Sequence, residues 1–425
     1  SNNISYNELV IKFANVNGSG SASANTFCAK SLYRMGIPIS AKNVFPSNIQ
    51  GLPTWYEITV SESGKLARKE KIDVMIAMNA QTYKTDIDAV NVGGTFIYDN
   101  SIKRQFSRDD IRVIGIPIAK LCAQEYSDAR QRQLFKNIVY LGSLSLLIGI
   151  DLDVIEKLLS EQFKSKKNLL EANFKALSIG RKYVQENIAY PLEMQVRKCN
   201  KNVNKIMING NEAAALGALY GGATVASWYP ITPSTSLVEA FEKHANKLRK
   251  ISTGELNVAV IQAEDELSAI GMAIGANWNG SRAFTATSGP GISLMGEFLG
   301  LAYFAEIPLV LFDIQRGGPS TGMPTRTQQS DLITCAYASH GDTKQILLLP
   351  SDPHECFEFG YKSFDLAEQL QTPIMVLSDL DIGMNDWVVD ELTWNEDYKH
   401  NRGKLINSDD IEKLREFASC LLYTS

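Results

Sequence analysis

Three side chains in this sequence stand where a chain could hold them for chemistry. Glu266 opens the helical pattern Glu-Leu-Ser-Ala-Ile-Gly-Met-Ala-Ile-Gly275. In a first helical turn the helix dipole favours a carboxylate. A carboxylate there can move protons, or it can merely cap the helix together with Glu264 and Asp265. Arg316 ends an apolar run and enters a loop of glycines and prolines. A guanidinium grips a carboxylate through two parallel hydrogen bonds; it can equally be a surface arginine at a strand end. Thr232 lies in Tyr229-Pro-Ile-Thr-Pro-Ser234, where two prolines stiffen the backbone under a hydroxyl. That loop reads as a ligand platform at a strand end or as a plain turn.

The elements that must carry these residues alternate. Apolar runs at 223–228, 258–262, 282–287, 308–314, 346–349 and 373–377 read as strands, with helical patterns between most of them. Run-like strands joined by helices predict a parallel sheet wrapped by helices. The first half repeats the theme, with strands expected at 9–16, 55–60, 74–78, 94–98 and 112–117, then a charged helical tract from 128 to 186. The expected division is an α/β domain at 5–186, a polar linker at 187–205 with Pro191, a second α/β domain at 206–390, and a charged tail at 391–425.

Composition narrows the function classes. The chain has 425 residues, 44% hydrophobic and 21% charged, with a net charge of -5. Its short basic clusters, Lys164, Lys166 and Lys167, and Lys247, Arg249 and Lys250, read as solvated helix faces, so nucleic acid is not an expected partner. No run of some 18 apolar residues predicts a membrane span, and the expected location is cytoplasmic. The six cysteines, at 28, 122, 199, 335, 356 and 420, form no Cys-x-x-Cys pair, and with four histidines no metal site is readable. Gly18-Ser-Gly-Ser-Ala-Ser23 follows a strand and opens a helix, as a dinucleotide turn does. No Asp or Glu lies between Ile37 and Gln50, where a ribose-binding acid belongs, so an NAD-linked reading is disfavoured.

The ordered set of segments resembles the α subunits of 2-oxoacid:ferredoxin oxidoreductases that carry a fused N-terminal γ domain. The segments are Phe45-Pro-Ser-Asn-Ile-Gln-Gly51, Tyr229 to Ser234, Gln262-Ala-Glu-Asp-Glu266, Thr285-Ala-Thr-Ser-Gly-Pro-Gly291 and Arg316-Gly-Gly-Pro-Ser-Thr-Gly-Met-Pro-Thr325. The resemblance implies a γ-type α/β domain followed by a pyrimidine-binding domain of the thiamine-diphosphate type. It makes Glu266 the carboxylate that bonds the cofactor's aminopyrimidine ring, with Tyr229 and Pro230 beside the cofactor. It puts Arg316 and Thr232 in the substrate pocket, with Thr325 a further polar contact, and makes Gly18 and Gly20 part of a coenzyme A contact region. Glu264 is second choice to Glu266, because only Glu266 is followed by Gly275 without a gap in the helix.

No Gly-Asp-Gly, the mark of a diphosphate-binding Mg²⁺ site, occurs in the sequence. The resemblance places Mg²⁺, the diphosphate site and a [4Fe-4S] cluster on a separate β subunit, with thiamine diphosphate shared between chains. The implied reaction is oxidation of 2-oxoglutarate with CoA to succinyl-CoA, CO₂ and reduced ferredoxin. Alternatives are the same reaction on pyruvate or another 2-oxoacid, and a non-catalytic nucleotide- or partner-binding protein on the same fold. Family α subunits of this type continue into a further domain, so the chain reads as a fragment whose last residues, 420–425, depart from the family.

Overall fold

In a computed structural model the described residues are 4–45, 49–320 and 322–416. Residues 46–48 of the Phe45 segment, Thr321 and 420–425 lie outside them. The chain divides into two compact units. Unit 1 is Ser1–Asn209 with Pro324–Arg326 and Met384–Glu391; unit 2 is Gly210–Met323, Thr327–Gly383 and Leu392–Ser425. No helix among the described residues is long and apolar enough to cross a membrane.

Unit 1 begins with β1 (Ser5–Tyr6), β2 (Glu8–Val16), α1 (Ser21–Arg34), β3 (Ile39–Val44), β4 (Pro53–Ser61) and β5 (Ile72–Ala77). It continues through α2 (Tyr83–Asp88), β6 (Val90–Asp99), β7 (Arg112–Ile116), α3 (Ile118–Glu125) and α4 (Ala129–Ile148). It then runs through α5 (Leu152–Gln162), α6 (Lys167–Asn187), β8 (Met194–Gln195) and β9 (Lys205–Ile208). Both faces of its sheet are covered, as alternation along β2 shows. Leu9, Ile11 and Phe13 enter the core shared with α1, α4, α5 and α6, while Val10 and Ala14 face Tyr83 of α2 and Phe96. Helix α4 starts where Asp128 accepts the amide of Gln131 and ends at Gly149, φ +81°.

Unit 2 is a doubly wound parallel sheet. Its elements are α7 (Gly210–Tyr220), β10 (Val225–Trp228), α8 (Thr235–Leu248), β11 (Ala259–Gln262), α9 (Glu266–Trp278), β12 (Ala283–Thr287), α10 (Gly289–Phe304) and β13 (Leu309–Gln315). There follow α11 (Leu332–Ala336), β14 (Ile346–Leu348), α12 (Pro353–Leu370), β15 (Pro373–Asp379) and α13 (Leu380–Met384). The strand order is β11-β10-β12-β13-β15-β14, every pair parallel. Strands β13 and β15 are buried along their whole length, which is why they read as apolar runs. One face packs Ile270, Ile274, Met295 and Leu299 of α9 and α10; on the other Phe241, Phe284, Phe312 and Phe364 stack edge to face. Because the strands are parallel, the turns after β10, β11, β12, β13 and β15 all leave at one edge.

The last strand, β16 (Asp386–Asp390), belongs to unit 1, and α14 (Ser408–Glu416) closes the described chain. Unit 1's sheet is therefore eight-stranded and mixed, β7-β6-β5-β2-β4-β3-β16-β9. Strand β3 was not expected: Ile-Ser-Ala-Lys-Asn-Val has little apolar weight, and only pairing with β4 and β16 makes it a strand. Strand β16 falls inside the stretch that the sequence assigns to the second domain, yet its partners are β3 and β9.

Helices α7 and α12 approach closely because Gly217 lacks a side chain. A Cβ there would lie 2.3 Å from the Phe357 carbonyl oxygen and 3.0 Å from Gly360 Cα. Gly217→Val is expected to cost about 1–3 kcal/mol through overpacking, read as a lowered urea midpoint.

Candidate functional site

The site is built from the turns at the C-terminal edge of unit 2's sheet. After β10, residues 229–234 fold back on themselves: the amides of Ser234 and Thr235 and the Ser234 hydroxyl all donate to the Ile231 carbonyl, at 2.9, 3.1 and 2.9 Å. Asn211 of α7 anchors the loop from beneath, its Nδ2 donating to Pro233 O at 2.9 Å and to Ser236 Oγ at 2.8 Å. Tyr229 and Thr232 are half-buried and Pro230 is exposed.

Arg316 leaves β13 with 3% of its surface exposed. Its Nη1 donates to the Thr232 carbonyl at 2.9 Å, and its Nη2 donates to the Ser320 carbonyl. The guanidinium therefore clasps two loops, and Thr232 meets it through the main chain. Its Nε is buried without a partner. Burial pulls the Arg316 pKa down, partly offset by Asp331, but an arginine keeps its charge in a protein.

Of the three acids at the start of α9, only Glu266 turns inward. Glu264 and Asp265 are exposed, and Asp265 caps the helix by accepting the Ser268 amide at 2.6 Å. Glu266 is 8% exposed, and its carboxylate has no hydrogen-bond or ion-pair partner among the described residues. It lies in a notch left by Gly291, where a Cβ would stand 3.0 Å from Glu266 Cγ and 2.0 Å from Thr287 Oγ1. Buried polar groups are normally paired, so this carboxylate is an acceptor in want of a donor. The hydroxyls of Thr285, Thr287 and Ser288 are likewise buried without partners.

A second glycine notch holds a second acid. A Cβ on Gly289 would lie 2.4 Å from Asp331 Oδ1 and 2.5 Å from the Arg316 carbonyl oxygen. Asp331 Oδ2 accepts the Arg316 amide at 3.2 Å, and the Asp331 amide donates to Gln315 Oε1 at 3.4 Å. Behind it lies Asp313, fully buried on β13, with Cys335 Sγ donating to its Oδ2 at 3.5 Å. Burial and the neighbouring Asp331 charge push the Asp313 carboxyl well above its usual range, and burial raises Asp331 as well. Two amide side chains complete the loop. Gln328 Oε1 accepts the Gly317 amide at 2.7 Å, and Gln329 Nε2 donates to Asp379 Oδ2 at 2.9 Å.

Thr325 is not among these residues: it belongs to the segment Pro324–Arg326 that groups with unit 1, and its hydroxyl is buried without a partner. Gly18 and Gly20 lie in unit 1, with φ of +82° and +77°, conformations that only glycine adopts at low cost. They line a cavity of about 560 Å³ together with Asn25, Asn43, Trp55 and Tyr56. A more open cleft of about 930 Å³ in unit 2 lies by Gly280, Ile307, Gln371 and Arg402, at the edge where the strands begin, and none of the site residues lines it.

Two family descriptions match consecutive stretches. "Pyruvate ferredoxin/flavodoxin oxidoreductase" matches residues 10–183, and "Pyruvate flavodoxin/ferredoxin oxidoreductase, thiamine diP-bdg" matches residues 216–399. The 2-oxoacid:ferredoxin oxidoreductase 1 subunit alpha of Sulfurisphaera tokodaii is 32% identical over 94% of this chain and 69% of its own length. The chain belongs to the family of 2-oxoacid:ferredoxin oxidoreductase α subunits. The 2-oxoglutarate oxidoreductase subunit KorA of Mycobacterium tuberculosis is 30% identical over 93% of this chain. The 2-oxoacid:ferredoxin oxidoreductase 2 subunit alpha of Aeropyrum pernix is 31% identical over 85% of it. This chain spans 64% and 63% of the lengths of those two relatives. Among solved structures, the 2-oxoglutarate:ferredoxin oxidoreductase of Magnetococcus marinus, determined with 2-oxoglutarate, coenzyme A and succinyl-CoA bound, superposes with a TM-score of 0.84. It is 29% identical, covering 95% of this chain and 69% of its own.

Sequence reading passed over Asp313, Asp331, Gln328, Gln329 and Asp379. One signal was available in Leu-Val-Leu-Phe-Asp-Ile-Gln of β13: period-two spacing puts Leu309, Leu311, Asp313 and Gln315 on one face of a buried strand. An acid there needs a reason.

The raised Asp313 pKa has a signed consequence. The folded state prefers the neutral acid, so its contribution to stability is complete below the ordinary 3.8 and is lost as pH rises through the elevated folded value. Each unit of separation is worth about 1.4 kcal/mol. Urea unfolding from about pH 4 to 9 should show wild-type stability falling relative to Asp313→Asn, which carries no proton to lose.

Proposed function

We propose that this chain is the α subunit of a thiamine-diphosphate-dependent enzyme that acts in the cytoplasm. The enzyme would oxidise 2-oxoglutarate with CoA to succinyl-CoA, CO₂ and reduced ferredoxin. The observation that carries this reading is Glu266, a buried carboxylate without a partner in the Gly291 notch. It is the feature that a nitrogen-rich ring would complete, and the matched family description names thiamine diphosphate. Support for 2-oxoglutarate over pyruvate comes from the name of the Mycobacterium tuberculosis relative and from the ligands in the Magnetococcus marinus structure.

Thiamine diphosphate, when bound, supplies the carbanion chemistry of decarboxylation. The chain's own residues do the rest. Glu266 would hold the aminopyrimidine ring by sharing a proton with a ring nitrogen, donating from its carboxyl when the nitrogen is neutral and accepting as a carboxylate when the nitrogen is protonated, general acid–base work of the kind that contributes about 10²–10⁴-fold. Tyr229 and Pro230 would lie beside the bound cofactor. Arg316 spends two of its five N–H donors on Thr232 O and Ser320 O, and the remainder are available to a substrate carboxylate. Thr232 would contribute its half-buried hydroxyl. The cavity beside Gly18 and Gly20 suits part of coenzyme A.

A β subunit is proposed to supply the Mg²⁺ and diphosphate site and the [4Fe-4S] cluster. Unit 2 supports a docked partner through the apolar side chains left exposed on α9 and α10: Met272, Trp278, Leu294, Leu301 and Phe304. On the same layer a Cβ at Gly275 would meet nothing within 4 Å.

In the complex with its β chain, Glu266→Gln should lower kcat for viologen reduction by about 10²-fold or more while leaving the melting temperature in place; turnover within a few-fold of wild type would falsify the assignment. Arg316→Ala should raise KM for the 2-oxoacid by about 10–100-fold, the loss of a charge-assisted hydrogen bond. Assays on 2-oxoglutarate and pyruvate side by side decide the substrate. Gly275→Leu should leave the chain folded but deplete the β chain from co-purified material; undiminished β chain would remove this surface from the interface.

A further inference from the structure

Asp313 and Asp331 have no part in the chemistry proposed above, yet both are buried in unit 2. Asp331 reaches the loop at three points: its carboxylate receives the Arg316 amide, its own amide meets Gln315, and its carbonyl receives the Cys335 amide that begins α11, at 2.8 Å. It thereby ties the end of β13 to the start of α11, the two ends of the excursion that carries Gly317, Ser320 and Gln328. Gly289 and its absent side chain let the carboxylate sit this close. One oxygen of Asp313, Oδ1, is fully buried and accepts nothing.

We propose that Asp331, seated against Gly289 and backed by Asp313, is the positioning residue that sets where the Arg316 guanidinium points. Burial favours the neutral form of Asp313, the deeper acid, and its buried Oδ1 has no other partner, so a proton there would be offered to Asp331, leaving Asp331 an acceptor for the Arg316 amide. Loss of that proton would set two buried carboxylates against each other, and the cheaper relief is for Asp331 to leave the notch, taking the root of Arg316 with it. The groups facing the pair are few. Cys335 approaches from α11, Ser330 lies beside Asp331, and Thr287 pairs with Asp313 across β12. Asp379 of β15 stands opposite Gln315 and is held by Gln329, and Glu266 is on the far side of α10's first turn, which itself carries no charge. The only cation among these neighbours is Arg316, whose guanidinium is turned toward Thr232 and Ser320. The positioning of the loop follows from this geometry alone; its effect on substrate rests on the proposed role of Arg316.

Two readouts separate the two claims. The first is hydrogen exchange of residues 317–323 and 327–330 in the full chain. Asp331→Ala and Asp313→Ala should speed exchange there, while Asp313→Asn, whose side-chain amide would donate in place of the proposed proton, should not. The second is KM for the 2-oxoacid as a function of pH in the assembled complex. Wild-type KM should climb with pH, the Asp313→Asn profile should be flat, and Asp331→Ala should show KM raised about ten- to a hundredfold at every pH with kcat little changed, the size expected of a misplaced binding group. Unchanged exchange in Asp331→Ala, or Asp313→Asn behaving as Asp313→Ala, overturns the proposal. Altered exchange with unaltered KM, when Arg316→Ala also leaves KM unaltered, keeps the positioning claim and rejects Arg316 as the substrate's partner.

Discussion

The first turn of α10 is the constraint on which this site depends. Two glycines, Gly289 and Gly291, hold open two notches where any side chain would collide, one with Asp331 and the Arg316 carbonyl, the other with Glu266 and Thr287. A methyl group would drive into the Asp331 carboxylate at Gly289, and at Gly291 into the Thr287 hydroxyl and against the Glu266 side chain. Three successive crossovers are thereby keyed together: the start of α9 brings Glu266, the start of α10 supplies the space, and the exit of β13 brings Arg316. Helix N-termini tolerate such carboxylates because the dipole and the open amides favour negative charge. The same crowding excludes the alternative acids. Glu264 and Asp265 precede Glu266 by two residues and one residue, before the helix begins, and face solvent.

Much of the fold of unit 2 was legible in the sequence because buried parallel strands must be apolar throughout. The runs at 308–314 and 373–377 name their strands almost to the residue. Unit 1 was less legible where strands borrow their stability from partners. The six residues of β3 have no strong preference and are fixed by register with β4 and β16, the latter more than 340 positions away along the chain. At the site, Glu266 and Arg316 could be singled out since each terminates a recognisable element. Asp331 could not. Its meaning lies in contacts with Gly289 and Arg316, and no local pattern announces that a loop residue returns to a helix start forty positions earlier. Thr232 was legible as a loop residue, but not in the way it is engaged: its carbonyl, not its hydroxyl, meets Arg316.

On the proposed function, the geometry leaves an isolated copy of this chain incomplete as a catalyst. Glu266 and the hydroxyls of Thr285, Thr287 and Ser288 form an unpaired polar lining, which a folded protein keeps only when something else pairs with it. The apolar side chains standing out from α9 and α10 run along this helical layer, from Leu294 near this edge to Trp278 and Phe304 at the opposite one. A partner docked on that layer would cover both at once, withdrawing apolar surface from water while closing the polar lining away from it. Exclusion of water is what would make Glu266 effective, since a proton held in a low-dielectric cleft interacts more strongly with its neighbours than one held in solvent.

Arg316 then has two duties that a lysine could not combine. Its guanidinium is planar and presents donors in several fixed directions. Two of those directions end on the carbonyls of Thr232 and Ser320, which hold the loops after β10 and β13 together. Main-chain carbonyls are neutral, so they orient the cation without cancelling it. A carboxylate acceptor in either position would have neutralised the charge. The acid beside Arg316, Asp331, instead accepts from its backbone amide and acts on the head group only through its charge. The guanidinium, buried at the edge of the sheet, has no ion-pair partner among the described residues, and on the proposed function an anionic substrate would supply it.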